Sequence, residues 1–376
     1  MTVIIVTYNN IKYMNKVSIK QSKKVLKRKE NSKAINTQTK YNGDWLKFID
    51  YCKYKHNCSP TDVDGLESAY NLVAEYLDWL DDDPEAKMYK GTSSIKGREN
   101  INNNPYSIAS SKSFVSKSYK ASTIKRILAS ITYKYRMNGF LFDRKHPDIS
   151  ETIASIQINQ KNIRSGEAKE LLKEDIIKII DSIPDDENDF RAIRDKALIL
   201  LGFYSFCRRS ELLGMKLNHL EFLEEGIQIL IPFSKTDQIG EGRYIFIAKK
   251  NDRYCPVNSL KNWLEIIRIE NEDPLFYSIN KSNKFNKYML NKKNQKISLS
   301  DSSFVKILKN RAQLAGLNEI EKISGHSLRR GAISEARRND LSINDIKAQS
   351  GHKSSQMIDL YSKVSDIKKT SVTKKI

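Results

Sequence analysis

Between residues 226 and 248 the hydrophobic pattern of this chain changes its period, and that change constrains the fold more than any other feature. Gly226–Phe233 (GIQILIPF) sets Ile227, Ile229, Ile231 and Phe233 at alternate positions, and Arg243–Ala248 (RYIFIA) follows a turn containing Gly240, Glu241 and Gly242. Period two on both sides of a glycine-bearing turn predicts a pair of antiparallel strands. Elsewhere the spacing is helical. Tyr41, Trp45, Phe48, Ile49 and Cys52 predict a helix from Asn36. Leu66, Ala69, Tyr70, Val73, Tyr76, Leu77 and Leu80 predict another over 65–80, stopped by Asp81-Asp82-Asp83-Pro84. A third is expected over 121–137, capped by Ser122 or Thr123 and ended near Gly139, and a fourth over 149–160. The second half adds helices at 173–182, 190–206, 303–315, 326–339, 342–350 and 354–364. The class expected is mainly α with a small antiparallel β-sheet.

A chain of 376 residues has room for two domains at about 100–200 residues each. Asn162–Lys173 (NIRSGEAKELLK), polar and holding Gly166, reads as the linker. The expected division is a basic arm over 1–35, a helical domain over 36–161, the linker over 162–173 and a second domain over 174–376. The Ser-, Asn-, Lys- and Gly-rich stretch 85–118 reads as a loop long enough to need a functional reason.

Charge narrows the partner. The chain carries 65 Lys and Arg against 45 Asp and Glu, for a formal +20, while 39% hydrophobic residues exclude a mostly disordered chain. Residues 1–40 hold ten Lys and Arg with only Glu30 opposing them, and residues 87–126 hold nine with only Glu99. Clusters of this kind suit a polyanion, because each neutralised phosphate releases counterions. Lys23, Lys24, Lys27, Arg28, Lys120, Lys125 and Arg126 are the candidate phosphate contacts. Neither cluster lies on an amphipathic helix, no 18 apolar residues run together, and Val3–Val6 is too short for a signal peptide, so no membrane role is expected. The four cysteines form no CxxC pair, and Cys52, His56 and Cys58 lack the number and spacing of a zinc site. A reducing cytoplasmic setting, alongside the nucleoid, is expected.

No phosphate-binding loop, HExxH, GxSxG or dinucleotide fingerprint occurs. The chain offers five boxes instead: Arg208-Arg209-Ser210-Glu211-Leu212 at the end of an apolar helix, Lys235 just past a strand, and His326-Ser327-Leu328-Arg329 opening a helix, then Gly351-His352 in a turn and Tyr361 nine residues on. Singly, each has an ordinary reading. Arginines complement a helix C-terminus, a hairpin lysine is solvated, a histidine is satisfied in a half-buried niche, and Tyr361 packs beside Met357, Leu360 and Val364. All five in this order do not arise from independent ordinary causes.

The set resembles the tyrosine recombinase (phage integrase) family over about residues 36–363, most strongly from Asp195 onward. R-x-S-E-L matches Arg208–Leu212, the strand lysine Lys235, H-x-x-R His326–Arg329, the G-H box Gly351-His352, and the terminal tyrosine Tyr361. Cys207 before the arginine and the long 85–118 loop depart from the pattern. The chemistry suits these residue types. Charge develops on the non-bridging oxygens of a phosphodiester under attack, where the guanidinium forks of Arg208 and Arg329 can hold two oxygens at once. The phenol of Tyr361, with an ordinary pKa of about 10, is the nucleophile, and His326 accepts its proton. Lys235 protonates the departing 5′-oxygen, His352 donates to the phosphate, and Glu211 orients an arginine or histidine from behind. No metal and no cofactor are called for.

The resemblance implies a C-shaped two-domain clamp on duplex DNA, a helical SAM-like core-binding domain joined to a mixed α/β catalytic domain. It implies a 3′-phosphotyrosine intermediate and strand exchange at specific recombination sites, for integration or excision of a phage or other mobile element. A homotetramer on synapsed DNA and an accessory directionality or DNA-bending factor are the partners implied. A non-catalytic DNA-binding regulator would have lost Arg208, Lys235, Arg329 or Tyr361, and a type IB topoisomerase would share the chemistry but work alone.

Overall fold

The computed structural model describes residues 35–82, 119–160, 168–232, 242–267, 271–280, 283, 298–356 and 358. The chain divides into two compact units, residues 1–165 and 166–376. Lys23, Lys24, Lys27, Arg28, Phe233, Lys235, Tyr361, most of the 354–364 segment and the 85–118 stretch lie outside the described residues. No described helix is long and apolar enough to cross a membrane.

The first unit holds α1 (Ile35–His56), α2 (Gly65–Asp82), α3 (Ala121–Met137) and α4 (Pro147–Asn159). The apolar stripes predicted for α1 and α2 meet α3 and α4 over a core of Phe48, Cys52, Tyr76, Leu77, Ile131, Tyr135 and Phe142. Its rings pack closely, Phe48 to Tyr76 at 4.9 Å and Tyr135 stacked on Phe142 at 4.9 Å. Three details differ from expectation. The acidic run does not stop α2 at Leu80: the helix continues through Asp81 and Asp82, because the buried Asp81 carboxylate accepts from the Gln160 amide. Neither Ser122 nor Thr123 caps α3. Lys120 occupies the cap position without a side-chain bond, and the open Ala121 N–H donates instead to Gln160 Oε1 (2.7 Å), 39 residues away. Helix α4 starts at Pro147, whose fixed φ suits a first turn, two residues before Ile149.

The second unit is built on α6 (Phe190–Tyr204), whose residues Ala197 to Leu201 are all fully buried. A helix apolar on every side must be wrapped, and α8 (Pro256–Ile266) and α10 (Ser327–Arg338) supply the main walls. Around them lie α5 (Lys173–Asp181), α7 (Arg209–Leu213), α9 (Asp301–Leu314) and α11 (Ile343–Ser350). The sheet is antiparallel in the order β1 (Leu220–Phe222), β2 (Gly226–Ile231), β3 (Arg243–Ala248). Its register pairs Ile227 with Ile247, Ile229 with Ile245 and Ile231 with Arg243, so the alternating isoleucines face the core. The two predicted strands pair antiparallel, while Gly240 and Glu241 of the predicted turn lie outside the described residues. Strand β1 and helix α8 were not among the expected elements.

Residues 169–172, expected in the linker, are seated on this unit. Lys169 N donates to Lys322 O (3.0 Å) and Leu171 N to Ser327 O (3.2 Å), and the Leu171 side chain is fully buried. A Cβ at Gly331 of α10 would stand 1.6 Å from Leu171 O, so only glycine admits this backbone.

Candidate active site

Arg208 does not end an apolar helix. Helix α6 stops at Tyr204, Phe206 turns the chain with a left-handed φ of 56°, and Arg208 becomes the N-cap of the five-residue α7. A bulky residue in that region is strained, and here its carbonyl is turned toward a buried arginine. The arginines of this box therefore sit at a helix start, where a C-terminal dipole argument has no place. Glu211, at the third position of α7, accepts from Arg208 N through Oε2 (2.9 Å) and from Arg208 Nη1 through Oε1 (2.7 Å). Arg243 Nη2 reaches the same Oε2 from β3 at 3.0 Å. Burial of Glu211 pushes its carboxyl up, but hydrogen bonds and charge from Arg243 and Arg208 outweigh it and hold the group below the usual carboxylate range.

The opposite wall is the C-terminus of α11, where the last carbonyls of a helix lack intrahelical partners. Arg329 Nη1 donates to Ser350 O (2.9 Å) and to Phe206 O (2.8 Å), while Arg208 Nη2 donates to Gly351 O (3.3 Å). Two guanidinium groups are thus held on adjacent carbonyls. Burial, then the neighbouring charge of Arg208, brings Arg329 down to about 10, which leaves it a cation at neutral pH. His352 lies against it, with Nε2 2.9 Å from Arg329 Nη2 and Nδ1 2.8 Å from Ser350 Oγ. Arg329 Nη2 stands 2.9 Å from Nε2 and 3.2 Å from Nδ1, and because arginine only donates, the ring meets it as an acceptor. Burial, Arg329 and Arg208 push His352 down to about 4, so the ring is neutral.

His326 takes the N-cap position of α10, and helix begins at Ser327. Lost hydration, then Arg329, Arg209, Arg208 and Arg330, lower its pKa, which keeps the imidazole neutral and able to accept a proton. The structure therefore gathers Arg208, Glu211, Arg329 and His352 directly, and the charges of Arg329 and Arg208 act on His326. Lys235 and Tyr361 lie outside the described residues. In the first unit Lys120 and Lys125 are exposed, but Arg126 is committed to the buried Asp44 carboxylate, which Ser130 Oγ also meets at 2.7 Å. The pair gives the buried carboxylate the cation it needs and leaves the Arg126 side chain partly exposed. Among the described residues the one grouping of metal-ligand types, Glu67, His146 and Asp148, is in the first unit. There His146 Nε2 lies 3.7 Å from Glu67 and its Nδ1 3.5 Å from Asp148. Arg243 and Phe206 were not predicted. A signal for Arg243 exists, since in R-Y-I-F-I-A it shares the inward face of Ile245 and Ile247.

The phage integrase family matches this chain over residues 169–367. The chain belongs to that family. An "Integrase/recombinase xerD homolog" of Selenomonas ruminantium is 30% identical over 345 residues, covering 90% of this integrase and 85% of the relative. Its fold is similar to that of the XerH site-specific recombinase in a post-cleavage complex with palindromic difH, at 17% identity and a TM-score of 0.55, covering 93% of this chain and 83% of that one. The pre-cleavage XerH complex gives 16% identity and a TM-score of 0.50, covering 90% and 80%. This integrase is a site-specific tyrosine recombinase.

Proposed function

We propose that the enzyme breaks and rejoins duplex DNA at specific recombination sites through a 3′-phosphotyrosine on Tyr361, in the integration or excision of a phage or other mobile element. The observation that carries this reading is the pair Arg208 and Arg329, held on the neighbouring carbonyls of Gly351 and Ser350 with neutral His352 beside them. Two fixed cations at that spacing suit the two non-bridging oxygens of one phosphodiester and stabilise the charge that grows on them. Tyr361 attacks phosphorus, neutral His326 takes the phenolic proton, and Lys235 protonates the 5′-oxygen that leaves. The bond to tyrosine replaces the bond to the 5′-oxygen, so religation needs no external energy source.

The helical unit and the 1–35 arm add sequence-independent contacts to the backbone through Lys23, Lys24, Lys27, Arg28, Lys120, Lys125 and Arg126. XerH, solved on its difH substrate before and after cleavage, supports duplex DNA as partner. A homotetramer on two synapsed sites, working in the cytoplasm with a DNA-bending or directionality factor, completes the proposal. The test uses a pool of nicked duplexes with randomised arms, in buffer containing a metal chelator. The full chain should yield a protein–DNA adduct that survives denaturant. Tyr361→Phe, which keeps the ring and removes the hydroxyl, should yield none while binding the recovered duplex normally. An adduct of normal yield from that variant overturns the nucleophile, and no adduct from the unaltered chain overturns the reaction.

A further inference from the structure

Strand β3 begins with a charged residue facing inward. Arg243 pairs in register with Ile231 and follows Gly242, whose φ of 71° and close approach to Ile231 O (2.9 Å from a built Cβ) fix where the strand starts. By the alternation of the strand, Arg243 lies on the face of the buried Ile245 and Ile247. Its guanidinium reaches Glu211 Oε2 at 3.0 Å and Ser350 O at 3.4 Å. It also lies flat against Gly351, where a Cβ would come within 2.8 Å of both Cζ and Nη1. Its Nε–H is buried with no acceptor among the described residues, so the side chain is placed for what Nη2 does.

The division of labour at Glu211 shows what that is. A carboxylate facing one arginine tends to take it bidentately, two oxygens against two nitrogens. Here Oε2 is held by Arg243 Nη2 and Arg208 N, which leaves only Oε1 for Arg208 Nη1. Arg208 Nη2 is thereby kept on Gly351 O, at an exchangeable 3.3 Å. Without Arg243 the carboxylate can swing to grip both nitrogens of Arg208 and withdraw them from a phosphate. We propose that Arg243 is a positioning residue that holds Glu211 to a single oxygen on Arg208, so that the Arg208 guanidinium keeps the orientation in which it meets the scissile phosphate.

The inference rests on the reading of Arg208 as a phosphate clamp, and the experiment separates the two. The full chain, Arg243→Ala, Arg243→Lys, Glu211→Gln and the double variant Arg243→Ala with Glu211→Gln are compared on the nicked duplex recovered above. Adduct formation is followed under saturating protein and duplex affinity is measured separately. Arg243→Ala should slow adduct formation about 10²-fold, the cost of a misplaced group, with affinity within about twofold. Arg243→Lys, which can still reach Oε2, should recover part of the rate, and it also serves if the alanine variant folds poorly. The double variant should be no slower than the slower single variant, because both act through one contact. Slowdowns that multiply, or an affinity loss that explains the rate, would mean that Arg243 meets DNA itself and overturn the inference. A normal rate for Arg243→Ala would do the same. An unaltered chain that forms no adduct overturns the clamp reading beneath it.

Discussion

Gly331→Ala tests the seating of residues 169–172. The built Cβ stands 1.6 Å from Leu171 O and 2.4 Å from Leu171 C, all backbone, so no flexible side chain can yield. An ordinary C···O contact of about 3.3 Å requires the segment and α10 to part by about 1.7 Å. That movement breaks Leu171 N to Ser327 O, now 3.2 Å, and strains Lys169 N to Lys322 O, now 3.0 Å. Two lost hydrogen bonds cost about 1–3 kcal/mol, and partial exposure of Leu171 about 1–2 kcal/mol more. Replacing a helical glycine by alanine returns about 1 kcal/mol. The net loss is about 1–4 kcal/mol. Urea unfolding followed by fluorescence in a background of Trp45→Phe and Trp79→Phe isolates Trp263, which is buried in the second unit. With an m-value of about 3 kcal/mol/M, the midpoint should fall by about 0.3–1.3 M at unchanged slope. Gly43→Ala, with nothing within 4 Å of its Cβ, is the contrasting case and should stabilise the first unit slightly. A midpoint for Gly331→Ala equal to or above that of the parent refutes the close-approach argument.

His352, down to about 4 in the folded chain against an ordinary 6.5, sets the sign of an acid effect. Above pH 6.5 the ring is neutral in both states; from there toward pH 4 only the unfolded chain takes up the proton, so stability of the second unit should decline and then level. His326, also lowered, acts in the same direction, and His352→Gln should flatten the decline; an identical acid limb in that variant counts against the assignment. Removing residues 1–34, with nine Lys and Arg and one Glu, should make log K against log salt shallower by about 0.9 per lost phosphate contact, whereas an unchanged slope would make the arm a solvated charge run.

What could be read from the sequence followed the strength of the local signal. The stripes of α2 and α3 and the alternation in β2 and β3 gave elements within a few residues of those seen, because each presents one apolar face to one core. Strand β1 spans three residues with little burial and carries no period. Helix α8 did have a signal, Pro256 at its first position with Val257, Leu260 and Trp263 buried behind it, but its cap is the unusual Cys255 sulfur. The α3 cap was unreadable in principle, since Gln160 reaches it only through the fold. At the site, the residue types were legible and their setting was not. Arg208 looked like a helix end because Leu198 and Leu201 precede it, and the left-handed Phe206 that restarts the chain has no sequence mark. Arg126 reads as one more cation in a basic cluster, and nothing local marks its partner Asp44, 82 residues away.

The end of α11 acts as a placeholder. Arg208 and Arg329 donate to the carbonyls of Gly351 and Ser350, so both guanidinium groups already hold a neutral acceptor there. In the reaction proposed above, a scissile phosphate arrives by exchange: it takes over hydrogen bonds whose geometry is set beforehand, and the side chains need little reordering as charge builds on its oxygens. Anions that accept more weakly than a phosphodiester gain little by such a swap. The carbonyls released are not stranded either, for they return to the arginines when the rejoined strand departs, and the free enzyme is restored without rebuilding its site.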